Sequence, residues 1–196
     1  MQITNEQLKA IVPFISDEHL NIYVPLLNQS LDRNSITTNK RLACFIAQTA
    51  HESESFNCVK EIADGRAYEG RIDLGNTLPG DGVRFKGRGL IGCTGKDNYK
   101  ACSLYLFNDE RLLDEPDLLE IPENALGSAY WYWASRELNE ICDKPENWFH
   151  QWNRRTYNKF GWLTVKINGG LNGYVSRLAF YERAKKVLNI NEVLNV

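Results

Sequence analysis

The sequence lacks the features that mark a membrane protein or a nucleic-acid-binding protein. No run of residues approaches the roughly 18 consecutive apolar residues of a membrane span. The 196 residues carry a formal net charge of −2, without the strong basic excess that usually accompanies binding to nucleic acid. We therefore expect neither a membrane span nor a nucleic-acid partner.

Signals for secretion and for disulfides are also missing. Residues 1–6 lack the basic and apolar regions of a secretory signal peptide, and the five cysteines include no Cys-x-x-Cys pair. In a chain without such a signal, reduced and mostly buried thiols are the expected state. We accordingly expect the protein to be made in the cytoplasm.

What remains is the composition of an ordinary globular protein, with 43% apolar and 24% charged residues. The length suffices for one substantial core, and no repeat, low-complexity tract or linker interrupts it. We predict a single domain over residues 1–196, with an N-terminal helical segment (1–36) packed on it. A monomer is the default expectation.

Hydrophobic spacing predicts a mainly α-helical chain. Thr4 and Gln7 resemble a capping box that opens a short helix ending near Pro13. Further helices are predicted at about 17–31, 38–53, from Pro122 onward, and 174–188. Their predicted inward stripes are Leu20, Tyr23, Val24 and Leu27, then Leu42, Phe45, Ile46 and Thr49, then Leu126, Ala129, Tyr130 and Trp133.

The helical period disappears between the third predicted helix and about residue 95. Nine of the 14 glycines lie between Gly65 and Gly95, among asparagine, aspartate and proline. This composition predicts loops with at most a short hairpin. Because long irregular stretches in compact domains are usually functional, we expect a site built from these loops.

Glu52, at the end of the third predicted helix, is a candidate general acid. Phe45 of the apolar stripe stands seven residues earlier, so Glu52 flanks that stripe. The negative end of the helix dipole and partial burial both favour the protonated carboxyl, which suits a proton donor. The alternative is an ordinary surface glutamate that ends a helix.

A second carboxylate would complete the pair with which glycosidases work, one protonating the leaving oxygen and the other activating water or attacking carbon. Glu61 lies in a segment that is expected to be extended and could stay ionised as a base. Glu54 would lie on a different helix face from Glu52, and Glu69 could instead pair with an arginine. The residues alone leave Glu61 and Glu69 as alternatives.

Two other motifs are incomplete. His51 and Glu52 begin a His-Glu-x-x-His zinc motif, but Ser55 replaces the second histidine, so we predict no metal site and expect His51 to orient a neighbour. Gly87–Gly92 fits Gly-x-Gly-x-x-Gly, but no buried strand precedes it. These glycines are better explained by tight turns or by close approach to a ligand.

Asparagine amides and tryptophan rings offer possible sugar contacts. Asn168 and Asn172 lie in a glycine-rich run and could bind sugar hydroxyls, although Asn-Gly pairs also form ordinary turns. Most tryptophans are expected in the core, with one at most in a groove. They are Trp131, Trp133, Trp148, Trp152 and Trp162.

Together these motifs resemble the family 19 glycoside hydrolases, which have a chitinase-like fold, and within them the phage endolysin and bacterial lysozyme-like branch. The resemblance covers about residues 42–188. It is carried by Ala50-His51-Glu52, the tract from Ala67 to Thr94 with Asn98-Tyr99, Ile167-Asn168-Gly169-Gly170, and Arg177 with Phe180-Tyr181. It implies a mainly α, lysozyme-like helical domain with a long glycine-rich loop region and at most a small β-hairpin.

The resemblance implies a role for each candidate. Glu52 matches the general acid, Glu61 the general base nine positions later, and Thr94 the hydroxyl that helps to hold the attacking water, so Glu61 is favoured over Glu69. Inversion, which the family uses, requires the two acids to stand about 6.5–9.5 Å apart. No cofactor is implied. The implied substrate-binding or supporting residues are His51, Tyr68, Arg88, Asn98, Tyr99, Asn168 and Arg177.

The implied activity is cleavage of β-1,4 bonds in peptidoglycan by an endolysin-type enzyme of phage or bacterial origin, acting after release from the cell. Chitin hydrolysis and an inactive module that binds wall glycan are the alternatives. The chain departs from the family pattern in two places. Glu54-Ser55 stand where Gly-Gly is usual, and Gly92 stands where Gln is common, so one amide contact to sugar is expected to be lost.

Overall fold

The computed structural model describes residues 1–190, and this part of the chain is mainly helical, as predicted. Its α-helices are α1 (Asn5–Ile11), α2 (Asp17–Ser30), α3 (Asn39–Glu52), α4 (Asp81–Arg84), α5 (Lys96–Phe107), α6 (Pro122–Ser135), α7 (Leu138–Cys142), α8 (Lys159–Asn168) and α9 (Tyr174–Val187). Strands β1 (Phe149–Trp152) and β2 (Arg155–Asn158) form a small antiparallel sheet. Among residues 1–190, no helix is long and apolar enough to cross a membrane.

The contacts divide the chain into two compact units. Unit 1 comprises Met1–His51 and the described residues from Trp133 onward, and unit 2 comprises Glu52–Tyr132. The boundary at His51 falls in the last turn of α3, and the boundary at Trp133 falls within α6. The single catalytic domain over residues 1–196 stays a prediction.

Unit 1 is built around α3. Its predicted inward residues are buried, and burial extends without a break from Leu42 to Ala50, as in a helix surrounded by other elements. Phe45 meets the ring of Trp133 edge to face, with centroids 5.2 Å apart. Since α3 is held on most sides, its C-terminal residues are fixed in direction.

The N-terminal segment of unit 1 begins with the predicted capping box. The Thr4 hydroxyl accepts a hydrogen bond from the amide of Gln7 at 3.2 Å, and the Gln7 side chain accepts one from the amide of Thr4 at 3.0 Å. The Arg183 guanidinium of α9 donates to the carbonyl of Ile11 at 2.8 Å. Helix α1 therefore packs against α9 within unit 1.

The sequence predicted at most a short hairpin within the glycine-rich tract. The observed β-hairpin lies outside that tract. It joins β1 to β2 through Asn153 and Arg154, and α8 follows it. The glycine-rich tract forms short helical turns at Arg66–Tyr68 and Ile72–Leu74, together with α4. Bridges join Lys60 to Arg88 and Arg88 to Cys93.

Unit 2 has its own core beneath the tract. Buried side chains of this core come from the tract and from α5 through α6, namely Phe85, Cys93, Tyr99, Cys102, Leu112, Leu119 and Trp131. The five cysteines carry free thiols, and four of them are buried; the reduced state in solution stays a prediction. The glycine-rich loops therefore rest on a packed apolar base.

Candidate active site

Glu61 is fixed by the backbone of the glycine-rich tract. Its amide donates to the carbonyl of Gly87 at 3.0 Å, and the amide of Gly89 donates to the carbonyl of Val59 at 2.8 Å. The Lys86 ammonium donates to the carbonyl of Glu61 at 3.3 Å. The segment that contains Glu61 therefore runs beside residues 87–89 and takes its position from them.

The two oxygens of the Glu61 carboxylate have different surroundings. Oε2 accepts a hydrogen bond from the Tyr68 hydroxyl at 3.0 Å. Oε1 is buried and has no hydrogen-bond partner within residues 1–190. A buried carboxylate oxygen without a donor is costly, and Oε1 is the acceptor of this carboxylate that the described residues leave without a hydrogen bond.

The Glu61 carboxylate and the Thr94 hydroxyl both lie close to the backbone of Gly87. A Cβ atom at position 87 would lie 2.8 Å from Oε2 of Glu61 and 3.3 Å from Oγ1 of Thr94. The first distance is too short for a carbon and an oxygen that are not bonded. Only glycine leaves these two side chains where they are.

Tyr68 is held as a hydrogen-bond donor to Glu61. Burial, followed by the hydrogen bond to Glu61, raises the pKa of the Tyr68 phenol above its ordinary value of 10.0. The Asn76 amide donates to the carbonyl of Tyr68 at 2.9 Å and so fixes the turn that carries the ring. Tyr68 therefore stays protonated and directs its hydrogen at the carboxylate.

Thr94 lies at the end of the glycine-rich tract, and Asn98 lies in the first turn of α5. The Asn98 amide donates to the carbonyl of Thr94 at 2.7 Å, which ties the residue to the first turn of α5. The Thr94 hydroxyl makes only a long hydrogen bond, 3.4 Å, to the carbonyl of Gly92. Both side chains are half-buried, so the Thr94 hydroxyl can turn toward a ligand.

Arg88 and Tyr99 are buried and hold the backbone of the tract through hydrogen bonds. The Arg88 guanidinium binds Asp117 at 2.5 Å and Glu120 at 2.9 Å and donates to the Tyr99 hydroxyl at 3.0 Å. The Tyr99 hydroxyl donates to the carbonyl of Lys86 at 2.6 Å. Burial raises the pKa of the Tyr99 phenol above its ordinary value of 10.0 and outweighs the hydrogen bond and charge of Arg88, which lower it.

This burial corrects the substrate contacts that the resemblance implied for Arg88 and Tyr99. Arg88 is 6% exposed and Tyr99 is 0% exposed, and the polar atoms of both are used within the chain. Neither side chain offers a surface to a sugar. Their role is to fix the backbone on either side of Gly87.

Glu52 is the last residue of α3 and is half-buried. The chain then turns through Glu54, Ser55 and Phe56, whose φ angles are +49°, +67° and +64°. Residues other than glycine rarely adopt this left-handed region. The Ser53 hydroxyl accepts a hydrogen bond from the amide of Phe56 at 3.0 Å, and the Phe56 ring is fully buried, which holds the turn.

Glu69, the competing base, is engaged by the backbone. Its carboxylate accepts hydrogen bonds from the amides of Gly80 at 3.1 Å and Val83 at 3.4 Å. It thereby joins the turn at Arg66–Tyr68 to the start of α4. Because both of its oxygens have protein donors, Glu61 fits the geometry of a base better than Glu69 does.

In unit 1, the candidates Arg177 and Asn168 border the loop between α8 and α9. The buried Arg177 guanidinium donates to the Gln48 side chain at 2.6 Å and, at 3.4 Å, to the carbonyl of Asn172. The Gln48 amide donates to the Thr164 hydroxyl at 3.2 Å. Asn168 ends α8 and is exposed. Of these two side chains, only that of Asn168 is therefore accessible to solvent.

His51 packs against the same loop. Its Nδ1 atom lies 3.1 Å from the Ser176 hydroxyl, within hydrogen-bond distance. A Cβ atom at Gly173, where φ is +70°, would lie 2.2 Å from the His51 ring, so only glycine admits this contact. The ring is thereby held by the loop and by α9, and the expectation that His51 orients a neighbour stays a prediction.

The contacts of three residues, Tyr68, Gly87 and Gln48, could not be predicted from the sequence. The pairing of Tyr68 with Glu61, the clearance at Gly87 and the link through Gln48 all depend on contacts between distant segments. Tyr68 is an aromatic residue between two glycines, and Gln48 is a buried glutamine in α3. No spacing in the sequence distinguishes either from residues without such contacts. Within residues 1–190, no three histidine, cysteine, aspartate or glutamate side chains are grouped as metal ligands would be.

Sequence comparison finds relatives, although no family model matches the chain. A glycosyl hydrolase family 19 domain-containing protein of Haemophilus influenzae is 34% identical over 62% of this chain and 51% of that protein. Endochitinase At2g43620 of Arabidopsis thaliana is 32% identical over 86% of this chain and 55% of that protein. Acidic endochitinase pcht28 of Solanum chilense is 27% identical over 77% of this chain and 62% of that protein. The chain thus spans between half and two thirds of these relatives.

Solved structures share the fold. Chitinase C from Streptomyces griseus superimposes with a TM-score of 0.67 at 17% identity, over 95% of this chain and 76% of that chain. A bacterial family 19 chitinase gives 0.67 at 19% identity, over 97% and 96%. A class IV chitinase from Zea mays gives 0.60 at 17% identity, over 99% and 85%. At these identities the likeness establishes the fold.

Proposed function

Because the chain is a relative of the family 19 glycosyl hydrolases, we propose that it hydrolyses β-1,4 bonds between amino sugars with inversion at the anomeric carbon. The observation that carries the proposal is the Glu61 carboxylate. One of its oxygens is held by Tyr68, the other is buried without a protein donor, and the Thr94 hydroxyl borders the same point. This is the environment that a base needs in order to hold and deprotonate a water molecule.

In this mechanism Glu61 acts as an ionised base. The Tyr68 hydroxyl donates to Oε2 and leaves Oε1 to accept a proton from water, while Thr94 orients the same water. As the oxygen of the water bonds to the anomeric carbon, its proton moves to Glu61. Arg88 and Tyr99 act only by positioning the tract.

Glu52 supplies the other proton. Its carboxyl group protonates the bridging oxygen as the bond between that oxygen and the anomeric carbon breaks, and Glu52 becomes a carboxylate. Glu61 has then gained the proton that Glu52 has lost. A proton exchange with solvent restores the starting state before the next turnover.

The preferred substrate in this proposal is peptidoglycan, because the tract between Ala67 and Gly95 resembles the endolysin branch of the family. The runner-up is chitin, which is supported by the names of two relatives, both endochitinases. Both polymers contain N-acetylglucosamine in β-1,4 linkage. Release onto the wall after synthesis in the cytoplasm, phage or bacterial origin, and a monomeric state stay predictions.

Two assays run side by side test the proposal. We expect the native protein to lower the turbidity of permeabilised Gram-negative cells faster than it releases sugars from soluble chitin, and Glu52→Gln and Glu61→Gln to do neither. Sugar release without clearing would identify a chitinase. Binding without turnover on either substrate would identify an inactive glycan-binding module.

The stereochemistry of the first product gives a second test. Inversion at a β-linked anomeric carbon releases the α anomer first, which proton NMR detects before mutarotation. A β anomer released first would contradict the water-activating role of Glu61 and would indicate a covalent intermediate.

A further inference from the structure

We propose that the hairpin of β1 and β2 forms a second, non-catalytic surface that binds a carboxylate-bearing amino-sugar polymer. We call it the hairpin surface and define it by Trp152, Arg154 and Arg155, supported by His150 and Trp162. The polymer class rests on the proposed function. None of the five residues belongs to the candidate catalytic set.

Aromatic side chains share one face of the hairpin. Trp152 is paired with Arg155 across the strands and His150 with Tyr157, and side chains two apart on a strand point to the same side. The Trp162 ring of α8 lies beneath them, with ring centroids 3.9 Å from His150, 5.9 Å from Trp152 and 5.9 Å from Tyr157. The hairpin is thereby fastened to α8.

Exposure increases along this face toward the turn. Tyr157 is 7% exposed, whereas Trp152 is 42% exposed. The inner rings therefore hold Trp152 in place while part of its indole remains open to solvent. A flat apolar ring that is rigidly held and partly exposed is suited to stack on the face of a sugar.

The turn of the hairpin adds positive charge at a cost in stability. Asn153 and Arg154 have φ angles of +49° and +62°, the pattern of a two-residue type I′ turn, whose second position favours glycine. An arginine there costs on the order of 1 kcal/mol. Such a cost is typical of positions that serve binding.

The two arginines are available to a ligand. Arg154 and Arg155 are exposed, and neither guanidinium group has an ion-pair or hydrogen-bond partner within the described part of the chain. The protein as a whole carries a net charge of −2, so this local charge opposes the overall sign. Guanidinium groups bind carboxylates in a bidentate manner.

The combination of stacking surface and arginines selects one occupant. Peptidoglycan offers sugar faces to Trp152 and carboxylates, on its lactyl-peptide branches, to Arg154 and Arg155. Chitin offers the same sugar faces without the carboxylates. We therefore expect the hairpin surface to retain peptidoglycan in preference to chitin.

Co-sedimentation with purified Gram-negative peptidoglycan sacculi tests the surface, with Glu61→Gln as the parent chain so that the polymer is not consumed. Trp152→Ala is expected to weaken binding about tenfold. Arg154→Gly is expected to weaken it several-fold without lowering the thermal midpoint, since glycine suits the turn. Loss of binding in Arg154→Gly therefore cannot come from unfolding.

The chain offers matched controls. Phe149 is 62% exposed on the opposite face of the same hairpin, so Phe149→Ala should leave binding unchanged. Arg33, exposed after α2, gives the charge control Arg33→Gln. Parental retention should fall with added salt and should exceed retention on chitin.

Binding that survives both Trp152→Ala and Arg154→Gly, or falls equally in Phe149→Ala, would overturn the proposal. Equal retention on chitin and sacculi would overturn the role of the arginines. Hairpin-dependent binding without turnover by the native chain would contradict the hydrolase alone. Turnover by the native chain without hairpin-dependent binding would contradict the hairpin surface alone.

Discussion

At the scale of single residues, the surroundings of Glu61 separate it from the other acids near the glycine-rich tract. Glu69 is bound by two backbone amides and Glu54 is exposed. Glu61 alone among these three combines a tyrosine donor on one oxygen with a buried second oxygen that accepts no hydrogen bond from a described residue. Hydrogen-bond partners, rather than distance along the chain, therefore distinguish Glu61 from Glu54 and Glu69 as the candidate base.

Tyr68→Phe removes the donor to Glu61 and keeps the ring. A hydrogen bond to a charged group contributes about 1.5–3 kcal/mol, so we expect kcat to fall about tenfold to a hundredfold with little change in KM. Steady-state kinetics on a soluble oligosaccharide measures this. A rise in KM with unchanged kcat would assign Tyr68 to sugar binding instead.

The titration of Tyr68 gives a test that does not depend on activity. Its raised pKa means that the protonated phenol is favoured in the folded state, and this contribution to stability is lost only as pH rises through the raised value. A difference absorbance titration of the native chain against Tyr68→Phe should show the phenol ionising above pH 10.0. In Glu61→Gln the same transition should move to lower pH.

Gly87→Ala tests the clearance beside Glu61 and Thr94. The added methyl group would stand 2.8 Å from the Glu61 carboxylate, so we expect loss of most activity, at least about tenfold, with the helical circular dichroism spectrum retained. Gly92→Ala is the matched control, because a Cβ atom there has nothing within 4 Å. Equal activity of the two variants would remove Gly87 from the mechanism.

At the scale of elements, helices with a capping signal and an apolar stripe were predictable from the sequence. Helix α1 has its Thr4 capping box, and α2 and α3 begin and end within a residue of the predicted bounds. Helix α5 was missed because it follows Gly95 without a side-chain cap and buries few of its residues. The hairpin was missed because its two strands are only four residues long and mostly exposed.

The turn after α3 explains one departure from the family pattern. Glu54 and Ser55, which stand where glycines are usual, adopt positive φ angles, and glycine reaches this region without strain. Glu54→Gly should therefore raise the free energy of unfolding by about 1 kcal/mol. Urea denaturation measures it, and a decrease in stability would mean that the Glu54 side chain contributes more than the strain costs.

At the scale of the whole molecule, the sequence predicted the mainly helical class and gathered the glycine-rich tract with Glu61, Thr94 and Asn98. It did not distinguish residues that face a ligand from residues that support the tract. Arg88 and Tyr99 share their motif with exposed residues, and only packing against the core of unit 2 reveals that they are buried. Burial of this kind depends on contacts between distant segments, which spacing along one chain does not encode.

Three arginine–aspartate pairs are expected to contribute to the stability of the fold at acid pH. Burial alone would raise the pKa of Asp117, but the charge and hydrogen bond of Arg88 outweigh it and lower the pKa, and Arg71 and Arg111 lower those of Asp73 and Asp109. A lowered pKa contributes stability above the ordinary value of 3.8, and that contribution is lost as pH falls through the folded value.

We therefore expect the urea midpoint to fall as the medium is acidified below about pH 4, and to fall less steeply in Asp117→Asn. Asp143→Asn, whose carboxylate pairs with Arg41 in unit 1, is the comparison at a pair outside unit 2. An identical slope in the native chain and in Asp117→Asn would show that this pair does not contribute to stability at acid pH.

The burial of Arg88 has a consequence for the medium in which the protein works. Dissolved ions screen attractions between charges that face water, and they act far less on a guanidinium enclosed by protein; Arg88 is 6% exposed. We therefore expect the conformation of the glycine-rich tract to change little between low and high ionic strength.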